Sequence, residues 1–141
     1  MVGDAAWRFG LTAGELNRVS EAIIGAAIAV HRELGPGLLE SAYEACLAFE
    51  MIDRGFRVLD QLELPVQYRG QSIDAGFKID LLVNEAVIVE LKSVDRMIPV
   101  YDAQLLNYLK LTQLNLGLLI NFNTVKVIDG VKRIVRDFPE S

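Results

Sequence analysis

Two apolar runs, FKIDLLV (Phe77 to Val83) and AVIVELK (Ala86 to Lys92), carry charged side chains where burial would be expected: Asp80, Glu90 and Lys92. Side chains alternate along a strand, so Phe77, Ile79, Leu81 and Val83 share one face of the first run, with Lys78, Asp80 and Leu82 on the other. In the second run Val87, Val89 and Leu91 share a face opposite Ile88, Glu90 and Lys92. Two acids and a lysine thus fall in one parity class, backed by apolar side chains. Paired carboxylates suit Mg²⁺, which keeps several waters and takes one or two carboxylates plus a substrate phosphate. The backbone carbonyl of Leu91 can add a ligand. Lys92 can orient a water or stabilise charge developing on a phosphate. The competing reading of the same residues is an exposed sheet face with a cross-strand Glu–Lys pair.

The turn between the runs sets the register. A two-residue loop at Asn84-Glu85 would place Asp80 opposite Val89 and send the two acids to opposite faces. A loop of Asn84 to Ala86, or an equivalent bulge, pairs Asp80 with Glu90 and Lys78 with Lys92. Directly opposed like charges destabilise a sheet. The longer loop is the expectation, with a cation between the carboxylates to offset their repulsion.

Three further groups bear on chemistry. In GLLESAY (Gly37 to Tyr43), Glu40 stands in the first turn of a helix with Tyr43 on the same face. Glu40 reads either as an acid favoured by the helix N-terminus or as a third carboxylate at the metal centre. In QLLNY, Gln104 and Tyr108 are four residues apart and Tyr101 precedes Gln104 by three, so all three line one helical stripe. That stripe is either solvated surface or a set of contacts to phosphates and bases. His31 is the only histidine. A hydrogen-bonded structural role is expected for it, with general base as the sharper alternative. One histidine and one cysteine exclude an ordinary zinc site.

The 141 residues suffice for one domain with a real core, and 52% apolar with 23% charged residues indicates a globular protein. The apolar stretch Ile23 to Val30 is too short to span a bilayer. With no visible signal peptide and a single cysteine, Cys46, expected to be a buried inert thiol, the expected location is cytoplasmic. A net charge of −5 excludes a protein that coats nucleic acid through a broad basic surface, but not a metal-dependent enzyme acting on one. Residues 1–11 read as a loose arm, with Trp7 and Phe9 pinning it to a single domain over 12–138. Thr12 with Glu15 fits a capping box opening a helix to Leu34, and Gly35-Pro36-Gly37 ends it. A second helix is expected over 38–54. Strands follow at 56–59 and 62–68, with a turn at Arg69-Gly70-Gln71, and then the two charged runs. Pro99 opens a helix to about Leu111. A buried strand at 116–122 and a final strand within 126–138 complete an α/β domain around a mixed sheet.

Taken together, these segments resemble the GxxExxY family, whose motif stands here as Gly37, Glu40 and Tyr43. The likeness extends over IIGAAIAVHRELGPGLLESAYE, the FKIDLLV and VIVELK pair, and AQLLNYLKLTQLNLGLLINF, covering nearly everything from Leu16 to Val135. That family is similar to a compact branch of the PD-(D/E)XK nucleases. The resemblance implies a restriction endonuclease-like core, a central mixed sheet flanked by helices, with Asp80 as the aspartate and Glu90 and Lys92 as the E-x-K element. It further implies Glu40 as an added metal ligand, Gln104 and Tyr108 as the Q-x-x-x-Y helix motif, and Tyr43 among the nucleic-acid contacts. Ile79 stands where the superfamily pattern has proline. The implied activity is Mg²⁺-dependent hydrolysis of DNA, less readily RNA, by a metal-activated water, with Mn²⁺ as an alternative ion. A homodimer or partner protein would supply specificity. The alternative is a catalytically silent nucleic-acid-binding or assembly module on the same scaffold.

Overall fold

A parallel step in an otherwise antiparallel sheet requires a crossover, and the chain has one. The computed structural model describes residues 9–141. Its strands are β1 (Val58–Tyr68), β2 (Gln71–Val83), β3 (Val87–Lys92), β4 (Leu116–Asn121) and β5 (Val131–Val135), side by side in chain order. Only β3 and β4 run parallel, and helix α3 (Pro99–Thr112) carries the chain between them. Helices α1 (Ala13–Leu34) and α2 (Glu40–Asp53) cover the opposite face. The expected α/β class and mixed sheet flanked by helices are therefore observed. The expected arm falls largely outside the described residues, as does Trp7; Phe9 is exposed.

Local chemistry fixes the element ends. Thr12 Oγ1 accepts from Glu15 N–H and Glu15 Oε1 accepts from Thr12 N–H, both at 3.1 Å, closing the expected capping box. Gly35, at φ 67°, ends α1 while its N–H donates to His31 O at 2.8 Å. The β2–β3 turn has Asn84 and Glu85 at φ 51° and 58°, with Ala86 N–H donating to Val83 O and Val83 pairing with Val87. The connection is the longer one, Asn84 to Ala86, and the β1–β2 hairpin turns on Arg69-Gly70 alone. The final strand expected within 126–138 is β5, and a short 3-10 helix, Val127–Gly130, precedes it.

Two cores follow from strand alternation. Val87, Val89 and Leu91 of β3 and Leu116, Leu118 and Ile120 of β4 face α1 and α2. Ile88 and Leu119 face Leu105, Tyr108 and Leu109 of α3. By parity Glu90 and Lys92 also face α3. Alternation slips once in β2: Leu81 and Val83 join the α1–α2 core, but Ile79 joins the α3 core and Phe77 meets Tyr108 edge-on. The expected single face of Phe77, Ile79, Leu81 and Val83 is thus broken at Asp80. Opposite it, Gln61 interrupts the regular β1 ladder at φ 48°. An irregular residue re-aims the strand beside it.

Gly130 sits where the 3-10 helix meets β4, and a Cβ there would lie 2.2 Å from the Asn121 carbonyl oxygen. Backbone cannot yield as a side-chain tip can. Gly130→Ala should destabilise the protein by about 2 kcal/mol or more in urea denaturation, whereas alanine at open Gly14 should not.

Candidate active site

The β2–β3 ladder stops at Leu81 and Val89. At the next position, Asp80 and Glu90 replace backbone pairing with carboxylates. Leu91 N–H donates to Asp80 Oδ2 at 2.8 Å, and Asp80 N–H donates to Glu90 Oε1 at 3.1 Å. Each acid thereby takes an amide of the other strand, and the two stand face to face in the predicted register. Lys78 and Lys92 are not paired, because the ladder does not continue past this point.

Burial and mutual charge shape the pair. Glu90 is 5% exposed. Removal from water, and then the neighbouring Asp80, push its pKa up to about 9, against weaker lowering by the Asp80 amide and Lys92. Tyr108 is raised by burial and by Glu90 and Asp80, opposed by its bond to Gln104, which places its phenol beside the acids. Gln104 Nε2 donates to Tyr108 Oη at 3.1 Å. Lys92 Nζ lies 4.4 Å from the centre of the Tyr101 ring. The α3 stripe and the charged strand ends are thus brought together.

Glu44, which sequence reasoning missed, is also drawn in. Gln61 Nε2 donates to Glu44 Oε1 at 2.8 Å and reaches Asp80 Oδ1 at 3.5 Å. Burial raises Glu44, with Asp80 and Asp60 adding to it and Gln61 opposing. Its signal was its place one helical turn beyond Glu40. Glu40 itself is exposed and accepts from Ser93 N–H at 3.4 Å, at the end of the strand that presents Lys92. Asn121 was missed too, a lone amide in an apolar strand. It accepts from Val94 N–H and donates to Val94 O, while Phe122 N–H donates to Lys92 O, fastening the chain just past Lys92.

Two named residues lie elsewhere. Tyr43 is fully buried, stacked on Phe122 with centroids 4.6 Å apart. Its hydroxyl donates to Gly35 O and accepts from Leu38 N–H. The expected nucleic-acid contact is corrected to a brace for the Gly35-Pro36-Gly37 turn, since no surface remains to touch a ligand. His31 is buried in the α1–α2 layer, with Nε2 donating to Thr124 O at 2.9 Å and its ring tilted against Phe122. That is the structural role, and its ring is not among the groups at the carboxylates. Cys46 is half-buried against the same core.

Asp80 on one strand, with Glu90 and Lys92 on the next, form the D…E-x-K arrangement. A family model described as the PD-(D/E)XK nuclease superfamily matches residues 17–134. The chain belongs to the PD-(D/E)XK nuclease superfamily. No significant match was found among curated proteins or among solved structures.

Members of the superfamily generally use divalent metal ions, and the donor set can be tested against one. Among the described residues, no three or more His, Cys, Asp and Glu side chains gather into a metal cage. A hydrated Mg²⁺ does not need one. The Asp80 side chain lies within hydrogen-bond reach of the Glu90 and Glu44 carboxyls and takes a long contact from Gln61, so acid oxygens converge there. Carboxyl oxygens that converge in this way fit such an ion.

Two measurements follow. Glu90 has a folded pKa above its unfolded 4.5, so the folded state holds a proton that the unfolded state releases between pH 4.5 and 9. Stability of the metal-free protein should therefore fall as pH rises through that window. Glu90→Gln should remove this slope and be more stable by about 1–3 kcal/mol at pH 8, read by urea denaturation in chelator. Tyr43→Phe should cost about 1–3 kcal/mol, from the Leu38 N–H and Gly35 O left unpaired, without altering nucleic-acid affinity in a binding titration.

Proposed function

We propose that this domain, over 12–138, is a Mg²⁺- or Mn²⁺-dependent nuclease that hydrolyses phosphodiester bonds of DNA in preference to RNA. The observation that carries the reading is the exchange of amides between Asp80 and Glu90 with Lys92 on the same face. It leaves oxygen donors and a cation at one place on a sheet whose family is that of nucleases.

Asp80 and Glu90 would hold the ion, with Glu44 and Gln61 steadying Asp80, and Glu40 and the Leu91 carbonyl as further oxygen donors. A bound divalent ion supplies charge neutralisation at the phosphate and eases deprotonation of water. Lys92 adds a positive charge on the same side, where negative charge builds on the phosphorus oxygens. Gln104, held by Tyr108, offers a neutral donor that fixes the phosphate backbone without reading sequence. Tyr108 as a residue is only 4% exposed, so it acts mainly through Gln104.

Gly37, Glu40 and Tyr43 support assignment to the GxxExxY branch. The half-buried free thiol of Cys46 supports a cytoplasmic setting. So small a domain would draw its specificity from a second copy or a partner protein.

The deciding assay incubates purified protein with single- and double-stranded DNA and with RNA, with and without Mg²⁺ or Mn²⁺. Cleavage should require the ion, and Lys92→Ala should lower the rate by about 10²-fold or more with an unchanged melting curve. Wild type and variant cutting at the same background rate would refute the reading. Nucleic-acid binding that survives Asp80→Ala, with no turnover under any ion, would instead identify a silent binding module.

A further inference from the structure

We infer that Tyr101 is a positioning residue for Lys92: its ring carries the lysine ammonium and keeps it out of the carboxylate pair. The inference rests on the nuclease reading, in which Lys92 serves the phosphate. Lys92 Nζ stands 4.4 Å from the ring centroid, within the range where a cation is held by an aromatic face. Glu90 is on the same side of the same strand, two residues back, and Asp80 faces Glu90. A lysine this near Asp80 and Glu90 would ordinarily be drawn onto a carboxyl oxygen. Yet the ion pairs among the described residues are Arg54–Glu50, Arg57–Glu85, Lys132–Asp102 and Arg136–Asp137, and Lys92 has none.

The ring solves a conflict within the site. A lysine bonded to Asp80 or Glu90 would occupy the oxygens a divalent ion needs, and its own charge would be spent before a phosphate arrived. An aromatic face attracts the ammonium without taking up any carboxylate oxygen. Tyr101 is well placed to do so. It lies in the first turn of α3, just after Pro99, and its N–H donates to Ile98 O at 3.1 Å. It leads the stripe whose next members, Gln104 and Tyr108, are bonded to each other. The Tyr101 hydroxyl forms no hydrogen bond among the described residues, so the contact with Lys92 is made by the ring alone. Phenylalanine should therefore serve in its place, and an aliphatic side chain should not.

The test begins on metal-free protein. In carbon–proton NMR, the Lys92 ε-methylene, assigned by its loss in Lys92→Ala, should resonate upfield under the ring in wild type and in Tyr101→Phe. It should return to the ordinary lysine position in Tyr101→Leu and in Tyr101→Met. Mn²⁺ titration without substrate should show weaker binding by the two aliphatic variants, about threefold or more, as the released lysine pairs with the carboxylates. In turnover, kcat should fall about tenfold in Tyr101→Leu with KM little changed, and Tyr101→Phe should recover it. A Lys92 methylene with no upfield shift in wild type, or Tyr101→Phe behaving like Tyr101→Leu, would overturn the inference. So would a raised KM at unchanged kcat, which would make the ring a nucleic-acid contact instead. A protein that never cleaves would defeat the nuclease reading alone, because the NMR shift and the Mn²⁺ titration still decide the role of Tyr101.

Discussion

The exchange between β2 and β3, in which Leu91 N–H binds Asp80 Oδ2 and Asp80 N–H binds Glu90 Oε1, is the constraint around which the molecule is arranged. A sheet normally satisfies its amides with carbonyls. Here, at one level, two carboxylates do it. The substitution ends the ladder and leaves a half-buried Asp80 facing an almost wholly buried Glu90. Burying carboxylates is costly unless something compensates. In the metal-free protein the compensation is a retained proton on Glu90, and a divalent ion would replace it.

The surrounding elements each answer to that arrangement. Gln61 departs from regular strand geometry opposite Asp80, and in doing so lends its amide to both Asp80 and Glu44. Asn121 clamps Val94, and Phe122 N–H holds the Lys92 carbonyl, so the strand end bearing Lys92 is fixed although its side chain is only half-buried. Gly117 lets α3 approach β4 closely, since a Cβ would fall 2.8 Å from Leu105. That close approach helps bring Tyr101, Gln104 and Tyr108 over the acids.

Much of this was legible in the chain. The capping box, the Gly-Pro-Gly break, Pro99 at the start of α3 and the apolar β4 are local signals, set by hydrogen bonding and steric limits within a few residues. The Asp80–Glu90 register was legible for a different reason. One alternative would have divided a charged set between two faces, and sheets specify register strongly when a face is buried. The slip of Phe77 and Ile79 to the α3 side was not legible. It depends on an irregularity in β1, and Gln61 has no composition that announces it. Tyr43 misled because its motif spacing is a helix-surface spacing, while its actual surroundings come from Phe122, far along the chain.

By itself, then, the sequence determined that two acids and a lysine share strand parity, that a helix stripe of Tyr101, Gln104 and Tyr108 exists, and that the domain is an α/β sheet of this family. The first two are periodic properties, and periodicity survives without knowledge of neighbours; the family rests on motif resemblance and the family match. Which acid of α2 is bonded through Gln61 to Asp80, and where the Lys92 ammonium rests, only the tertiary structure decided. Glu40 and Glu44 are equivalent in period, so distance had to choose between them. It set Glu40 beside the Ser93 amide and Glu44 across Gln61 from Asp80. Lys92 could have closed on Glu90 by sequence alone. The crossover of α3 instead set an aromatic face 4.4 Å from its ammonium.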